Sequence, residues 1–212
     1  MMYGHFLRIR YGDIVALHVL MITLDDQMLL LQSVWAELHV LDFTYQRVRN
    51  NLPDMILMDN GLKLKVASVA LLALAEGSNE WERLCGQMLA ISFDRYDYVA
   101  MKYLMLLNPE SIGYSKLQNK RLVSEGREKV KAAWLEYRRH IFADASHHDT
   151  PLPFQNCIER TRSLGLRGEQ YLYYKMLSGH IPKGLLTEML ISYGSRTRQA
   201  SSEANMESQK RS

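Results

Sequence analysis

Few side chains in this 212-residue chain have the type and spacing for chemistry. Cys85 and Cys157 are its two cysteines, and a Cys-rich zinc module needs about four ligands per metal. They supply neither a zinc DNA-binding finger nor a disulfide framework, and both are expected to be reduced and metal-free. His147, His148 and Asp149, with Asp144 nearby, could hold a metal. Lacking a second ligand pair at defined spacing, they read as a solvated loop between helices. The seven histidines form no His-Glu-x-x-His pattern, there is no Gly-rich phosphate loop, and no serine sits in a nucleophile elbow. No catalytic residue is assigned and no enzyme is expected. Asp94 and Asp97 could be a carboxylate pair, but their spacing fits the start of a helix better than acid–base work.

Two further sets suit binding rather than catalysis. Tyr171 and Lys175 stand at i and i+4, so they share a helix face and could together hold an anionic head group at a pocket mouth. The alternative is an aromatic core stripe with Lys175 snorkelling outward. Glu188 lies beside the Leu185/Met189 face of a short helix, where a carboxylate could cap the N-terminus of a helix docked alongside. Its alternative is an ordinary solvent-facing glutamate. The twelve methionines could line a promiscuous groove, yet Met88, Met101 and Met105 have core-like spacing.

The elements that must position these residues are helical. With 47% hydrophobic residues the chain can bury one core, so one domain is expected. The tail from Gly194 to Ser212 holds four basic and two acidic residues, leaving 22 basic and 21 acidic over the other 193. That balance gives no footprint for nucleic acid. Ile14 to Leu24 is apolar but interrupted by His18 and short of the ~20 residues of a membrane span. A soluble intracellular chain is expected.

Thr23 with Asp26 three residues on resembles a capping box. From Met28 to Tyr45 apolar residues fall all round the wheel, which predicts a helix buried at the centre of a layered bundle. Asp59-Asn60-Gly61 between Ile56-Leu57-Met58 and Leu62-Lys63-Leu64 predicts a two-stranded hairpin. Helices are expected over 66–75, 79–91 and 94–107, then one with an apolar stripe of Val123, Val130, Trp134, Tyr137 and Ile141, with Arg127, Lys131, Arg138 and Arg139 largely off it. A long helix over 154–177 should stop at Ser178-Gly179. Leu185 to Leu190 make about two turns, with four apolar residues at i, i+1, i+4 and i+5. So short a helix takes its stability from docking. The polar tail beyond Tyr193 reads as disordered.

At this point the residues resemble a known family. Asp25-Asp26-Gln27-Met28-Leu29-Leu30-Leu31-Gln32 followed by Trp35-Ala36-Glu37-Leu38 is similar to the signature of nuclear-receptor ligand-binding domains. Asn51-Leu52-Pro53-Asp54, Asp97-Tyr98-Val99 through Leu106-Leu107-Asn108-Pro109, Val123-Ser124-Glu125-Gly126, Arg167-Gly168-Glu169 and Leu185-Leu186-Thr187-Glu188-Met189-Leu190 resemble its fushi tarazu factor 1 and steroidogenic factor subfamily. The likeness spans about Leu24 to Leu190. It implies an all-α, three-layer antiparallel helical sandwich with one small β-hairpin. A divergent segment, 1–24, precedes a domain over 25–193, followed by the tail, 194–212.

The resemblance also implies a nuclear transcription factor that docks Leu-x-x-Leu-Leu coregulator helices through a C-terminal activation helix. Met28, Gln32, Leu185, Leu186 and Met189 would form the groove, and Glu188 the acidic half of a charge clamp. Tyr171 and Lys175 match positions that hold a phospholipid head group in vertebrate members. Residues 62–77 match the shorter insect-type version, in which a helix fills the pocket, and Leu71, Leu72 and Leu74 are large enough to fill it. Residues 1–24 do not resemble the family, whose first two helices and most of whose third have no counterpart here, and the basic clamp position falls on Ile14. The resemblance thus implies an N-terminally truncated domain, which a truncated isoform or a misplaced gene-model start would equally produce. No cofactor is expected, with phospholipid as the one candidate ligand, and the chain should be a monomer without direct DNA or membrane binding. The alternatives are a lipid-binding domain whose occupancy is the functional event, and an inert truncated isoform.

Overall fold

A computed structural model describes residues 22–112, 117–141, 152–181, 183–195 and 197 of the chain. Helix α1 (Leu24–Arg49) starts where Thr23 accepts a hydrogen bond from the Asp26 amide at 3.3 Å. Asp25 and Asp26 in its first turn and Arg47 and Arg49 in its last complement the helix dipole. The capping box does not close, because the buried Asp26 carboxylate points elsewhere. Its two oxygens accept the amides of Gln118 and Asn119 at 2.9 and 2.8 Å, so it holds the turn that leads into the distant helix α5 (Lys120–Ile141). From Leu30 onward α1 is buried on most sides by Leu30, Val34, Leu38, Val40 and Leu41. All-round burial fails in its first two turns, where Leu24, Met28 and Leu31 reach solvent.

Strands β1 (Met55–Leu57) and β2 (Lys63–Lys65) pair antiparallel, with Met55 opposite Lys65 and Leu57 opposite Lys63. The expected hairpin is present, one residue further out on each side. Asn-Gly does not form a two-residue turn: the loop runs from Met58 to Leu62, Gly61 takes a φ of +79°, and the Asn60 side chain accepts the Leu62 amide at 3.0 Å.

The helix expected over 66–75 is cut short. Helix α2 (Val66–Ala70) ends in a Schellman turn, with the Ala73 amide on the Ser68 carbonyl at 2.7 Å and the Leu72 amide on Val69 at 3.2 Å. Leu72 and Ala73 take left-handed φ of 54° and 70°, a conformation usually left to glycine. The turn drives Leu71 into the core, fully buried. A 3₁₀ turn (Ala75–Gly77) then leads into α3 (Ser78–Ala90).

Helix α4 (Arg95–Leu106) carries the capping that Asp94 and Asp97 promise. Asp94 accepts the amides of Tyr96 and Asp97 at 2.8 and 3.0 Å, and Asp97 accepts the Asp94 amide at 3.0 Å. Met88, Met101 and Met105 are core residues as expected. On α5, Val123, Val130, Trp134 and Tyr137 bury their stripe, whereas Ile141 at its end is 57% exposed. Two arginines read as off the stripe are not idle. Arg138 is buried against Asp97 at 3.1 Å, and Arg127 donates to the Leu104 carbonyl.

Helix α6 (Leu152–Leu177) is the long one. It stops as expected at Gly179 (φ 74°), with the His180 amide on Lys175 and the Gly179 amide on Met176, both at 3.0 Å. A last helix, α7 (residues 185–195), is three turns rather than two, and residues 194, 195 and 197, expected to be disordered, are helical. Helix α1 forms the middle, with α4 and α5 on one flank and α3 and α6 on the other. Close approach of α6 rests on glycine: a Cβ at Gly165 would lie 2.7 Å from the Glu37 backbone on α1. Ile14 and the His147-His148-Asp149 cluster lie outside the described residues. No helix among the described residues is long and apolar enough to cross a membrane.

Candidate functional site

The predicted site residues fall into three places. The first is the seam between α1 and α7. Leu190 drives into the body and is fully buried, and Gly194, one turn on, lies against the Tyr173 ring of α6. Tyr193 packs edge-on to Tyr173 at 5.4 Å between ring centroids. Ser192 donates to the Gln32 side-chain oxygen of α1 at 3.3 Å. These contacts supply the docking that a short helix needs.

What they leave uncovered is the candidate surface. Met28 precedes Gln32 by one turn on α1 and is 43% exposed, and Glu188 precedes Ser192 by one turn on α7 and is exposed. The Ser192–Gln32 contact joins the two helices at a point one turn along from each of these residues. Leu185 is 69% exposed and Leu186 is also at the surface, with Met189 half-buried. The apolar quartet does not act as one buried face: Leu190 anchors the helix while the other three line the surface. Leu24 and Leu31, exposed on the same stretch of α1, extend the apolar strip and were missed because a central helix was expected to bury them. Ser192, Gly194 and Tyr173 were also missed, since nothing local in the sequence marks residues that meet only through tertiary docking.

The second place is the α6 pair. Lys175 Nζ sits 5.5 Å from the centroid of the Tyr171 ring, a cation–π stack, and both side chains are half-buried. Their shared face is therefore real. Leu71 lies elsewhere, pressed between α6 and the turn before α3: a Cβ at Gly77 would touch its side chain at 3.0 Å, and one at Gly168 would meet its carbonyl at 3.1 Å.

Other titratable groups are structural. Burial pushes the Cys85 thiol up to about 12, helped by the Glu82 charge, and the Cys157 thiol up to about 11. Both are free and buried, hence poor nucleophiles. Burial also raises the Asp97 carboxyl to about 6, against the donation from Trp134 Nε1 at 2.8 Å. Tyr98, Asp42 and Lys102 form a half-exposed cluster, with Tyr98 donating to Asp42 at 2.6 Å and Lys102 to Tyr98 at 3.1 Å. Among the described residues no three His, Cys, Asp or Glu side chains are grouped to hold a metal.

The chain is 36% identical over 167 residues to nuclear hormone receptor FTZ-F1 of Drosophila melanogaster, and 34% over 169 residues to steroidogenic factor 1 of Rattus norvegicus. Each match takes in 78% of this chain but only 16% and 36% of those receptors. The crystal structure of the ligand-binding domain of Drosophila fushi tarazu factor 1 superposes with a TM-score of 0.74 at 31% identity, covering 86% of this chain and 77% of that one. This chain belongs to the nuclear-receptor ligand-binding domains. No family model matches it.

Within that fold the motif residues have clear jobs. Trp35 of the signature donates to Glu169 of α6 at 3.0 Å, and the buried Glu169 follows Gly168, which lets the Leu71–Leu72 turn close in. Arg167 pairs with Glu80 of α3. Arg167-Gly168-Glu169 thus ties the ligand-binding fold together from three sides.

Proposed function

We propose that this ligand-binding domain is the coregulator-docking part of a nuclear transcription factor. Its docking surface is made by Met28 and Gln32 of α1 with Leu185, Leu186, Glu188 and Met189 of α7. The observation that carries this reading is the seating of α7 against α1 and α6 by Ser192, Gly194 and the buried Leu190, with Met28, Leu185 and Glu188 left exposed on the two helices. A Leu-x-x-Leu-Leu helix would bury its leucines on the strip and present its positive N-terminal end to Glu188. Fluorescence anisotropy with such a peptide tests it. Binding should weaken about two- to fivefold in Glu188→Ala, as expected for one capping charge worth about 0.3–1 kcal/mol at an exposed rim. Equal affinity in wild type and Glu188→Ala removes the clamp role, and no binding at all removes the reading.

For the interior we propose that the chain's own side chains, Leu71 first among them, fill the ligand space. A second reading, a phospholipid whose head group rests on Tyr171 and Lys175, is favoured by one observation, the stacked geometry of that pair on α6.

A further inference from the structure

The hairpin carries apolar surface that neither the core nor the α1–α7 seam uses. Leu57, Leu62, Met58 and Met55 are 67, 53, 45 and 42% exposed, all within eight residues. Single exposed leucines are ordinary on a folded surface, but an ordered cluster is not. The register supplies the order. Met55 is opposite Lys65 and Leu57 opposite Lys63, with Ile56 opposite Leu64 between them. Directly paired residues share a face and alternate residues switch it. Ile56 packs on the core, so Met55, Leu57, Lys63 and Lys65 make the outer face, and all four are exposed. The result is an apolar column on β1 beside a basic column on β2. Among the described residues, no carboxylate engages either lysine.

We propose that this outer face docks an acidic amphipathic helix of a partner protein. Side chains two apart in a strand repeat at about 6.8 Å, and side chains four apart in a helix repeat at about 6.0 Å. A helix lying along the hairpin therefore matches both columns at once, with apolar residues at i and i+4 on Met55 and Leu57 and carboxylates at i+3 and i+7 on Lys65 and Lys63. An extended segment offers only one column per face. An anionic membrane fits less well, because Asp59 is exposed at the hairpin tip, and inserting that tip would carry its carboxylate out of water. A helix along the flank leaves it solvated. The face is far smaller than the roughly 1,200 Å² of a stable interface, so the contact is weak, transient and salt-sensitive.

The test uses the whole chain and two fluorescein-labelled helical peptides without a Leu-x-x-Leu-Leu order. One has Leu at i and i+4 with Glu at i+3 and i+7, and the other has Lys in place of Glu. The Glu peptide should bind more tightly, and Lys63→Glu with Lys65→Glu should cut its affinity about tenfold and reverse the preference. Leu57→Ser should weaken both peptides, Glu188→Ala should leave binding unchanged, and raising salt to about 0.5 M should weaken the wild-type contact even if the double variant misfolds. Equal binding of the two peptides overturns the proposal. So does loss of binding in Glu188→Ala, which would put the peptide on the α1–α7 seam. Phosphatidylserine-containing vesicles serve as a third probe, and lysine-dependent vesicle binding without peptide binding assigns the face to lipid and also overturns it.

Discussion

Gly194 of α7 lies so close to Tyr173 of α6 that a Cβ at Gly194 would stand 2.5 Å from the phenol oxygen and 2.7 Å from the ring carbon bearing it. That contact makes the position of α7 conditional on the smallest residue. Gly194→Val should lift α7 from α6, and with it the Ser192–Gln32 contact. Protease cleavage near residues 181–184 should rise and affinity for a Leu-x-x-Leu-Leu peptide should fall, because overpacking costs about 1–3 kcal/mol. Adding Tyr173→Ala should restore part of both. Unchanged cleavage in Gly194→Val would show that the ring simply turns aside.

Gly165 makes a different kind of contact. Its hypothetical Cβ meets the Glu37 backbone nitrogen and Cα at 2.7 Å, and backbone in the middle of a buried helix cannot rotate away. Gly165→Ala should therefore separate α6 from α1 and lower global stability by about 1–3 kcal/mol. That corresponds to a melting temperature lower by roughly 2–4 °C per kcal/mol for a domain of this size. A melt within one degree of wild type would place the close approach elsewhere.

These contacts also mark where the sequence stops being legible. Helix content, the central position of α1, the hairpin and the Gly179 stop follow from periodicity and turn chemistry, which are local. The end of α2 does not. Its Schellman turn uses Leu72 and Ala73 in left-handed backbone, where a glycine would have announced the stop. The turn is held instead by tertiary packing of Leu71 and Gly168. Asp26 is the same case: it reads as a local cap but serves amides at Gln118 and Asn119. For the site, Tyr171 with Lys175 was readable because i and i+4 fix a shared helix face. The meeting of Gln32 with Ser192 joins distant segments, and no spacing rule predicts it.

Asp26 should behave as the anchor of the turn that leads into α5. Asp26→Ala leaves the Gln118 and Asn119 amides without their acceptors, at a cost of about 1–3 kcal/mol. Hydrogen exchange at those two amides should accelerate far more than exchange in α1. Asp26→Asn, which keeps one acceptor oxygen, should fall between. Uniform acceleration across the domain would argue against a local anchoring role.

Asp97 should make stability depend on pH. It is buried among Asp94, Trp134, Tyr137 and Arg138, and burial raises its carboxyl from 3.8 to about 6. A raised carboxyl means that the folded state holds the proton more tightly than the unfolded chain does. Between those values the folded form binds more protons, so this group's contribution to stability is largest below about pH 4 and declines as pH rises through 6. Urea midpoints measured from pH 4 to 7 for wild type and Asp97→Asn should converge toward the acid end, once other carboxylates common to both proteins cancel. A difference independent of pH would mean that Asp97 does not titrate in this range.

Leu71 provides the sharpest test of a self-filled interior. It is fully buried, and its side chain approaches the Gly77 Cβ position at 3.0 Å. Leu71→Ala deletes three carbons where glycine backbone and α6 surround the gap, so the walls collapse only partly, and the loss should be about 2–5 kcal/mol. If Leu71 occupies space a ligand would otherwise take, native mass spectrometry of wild type expressed in cells should give the polypeptide mass alone, whereas Leu71→Ala should retain an apolar ligand and regain stability with it. A phospholipid bound one per chain to wild type, lost in Lys175→Ala, would reverse the conclusion and make the Tyr171–Lys175 face the working site. The pair of measurements decides between the readings because Leu71 and Lys175 act on different parts of the ligand: one excludes its apolar chains, the other would hold its charge.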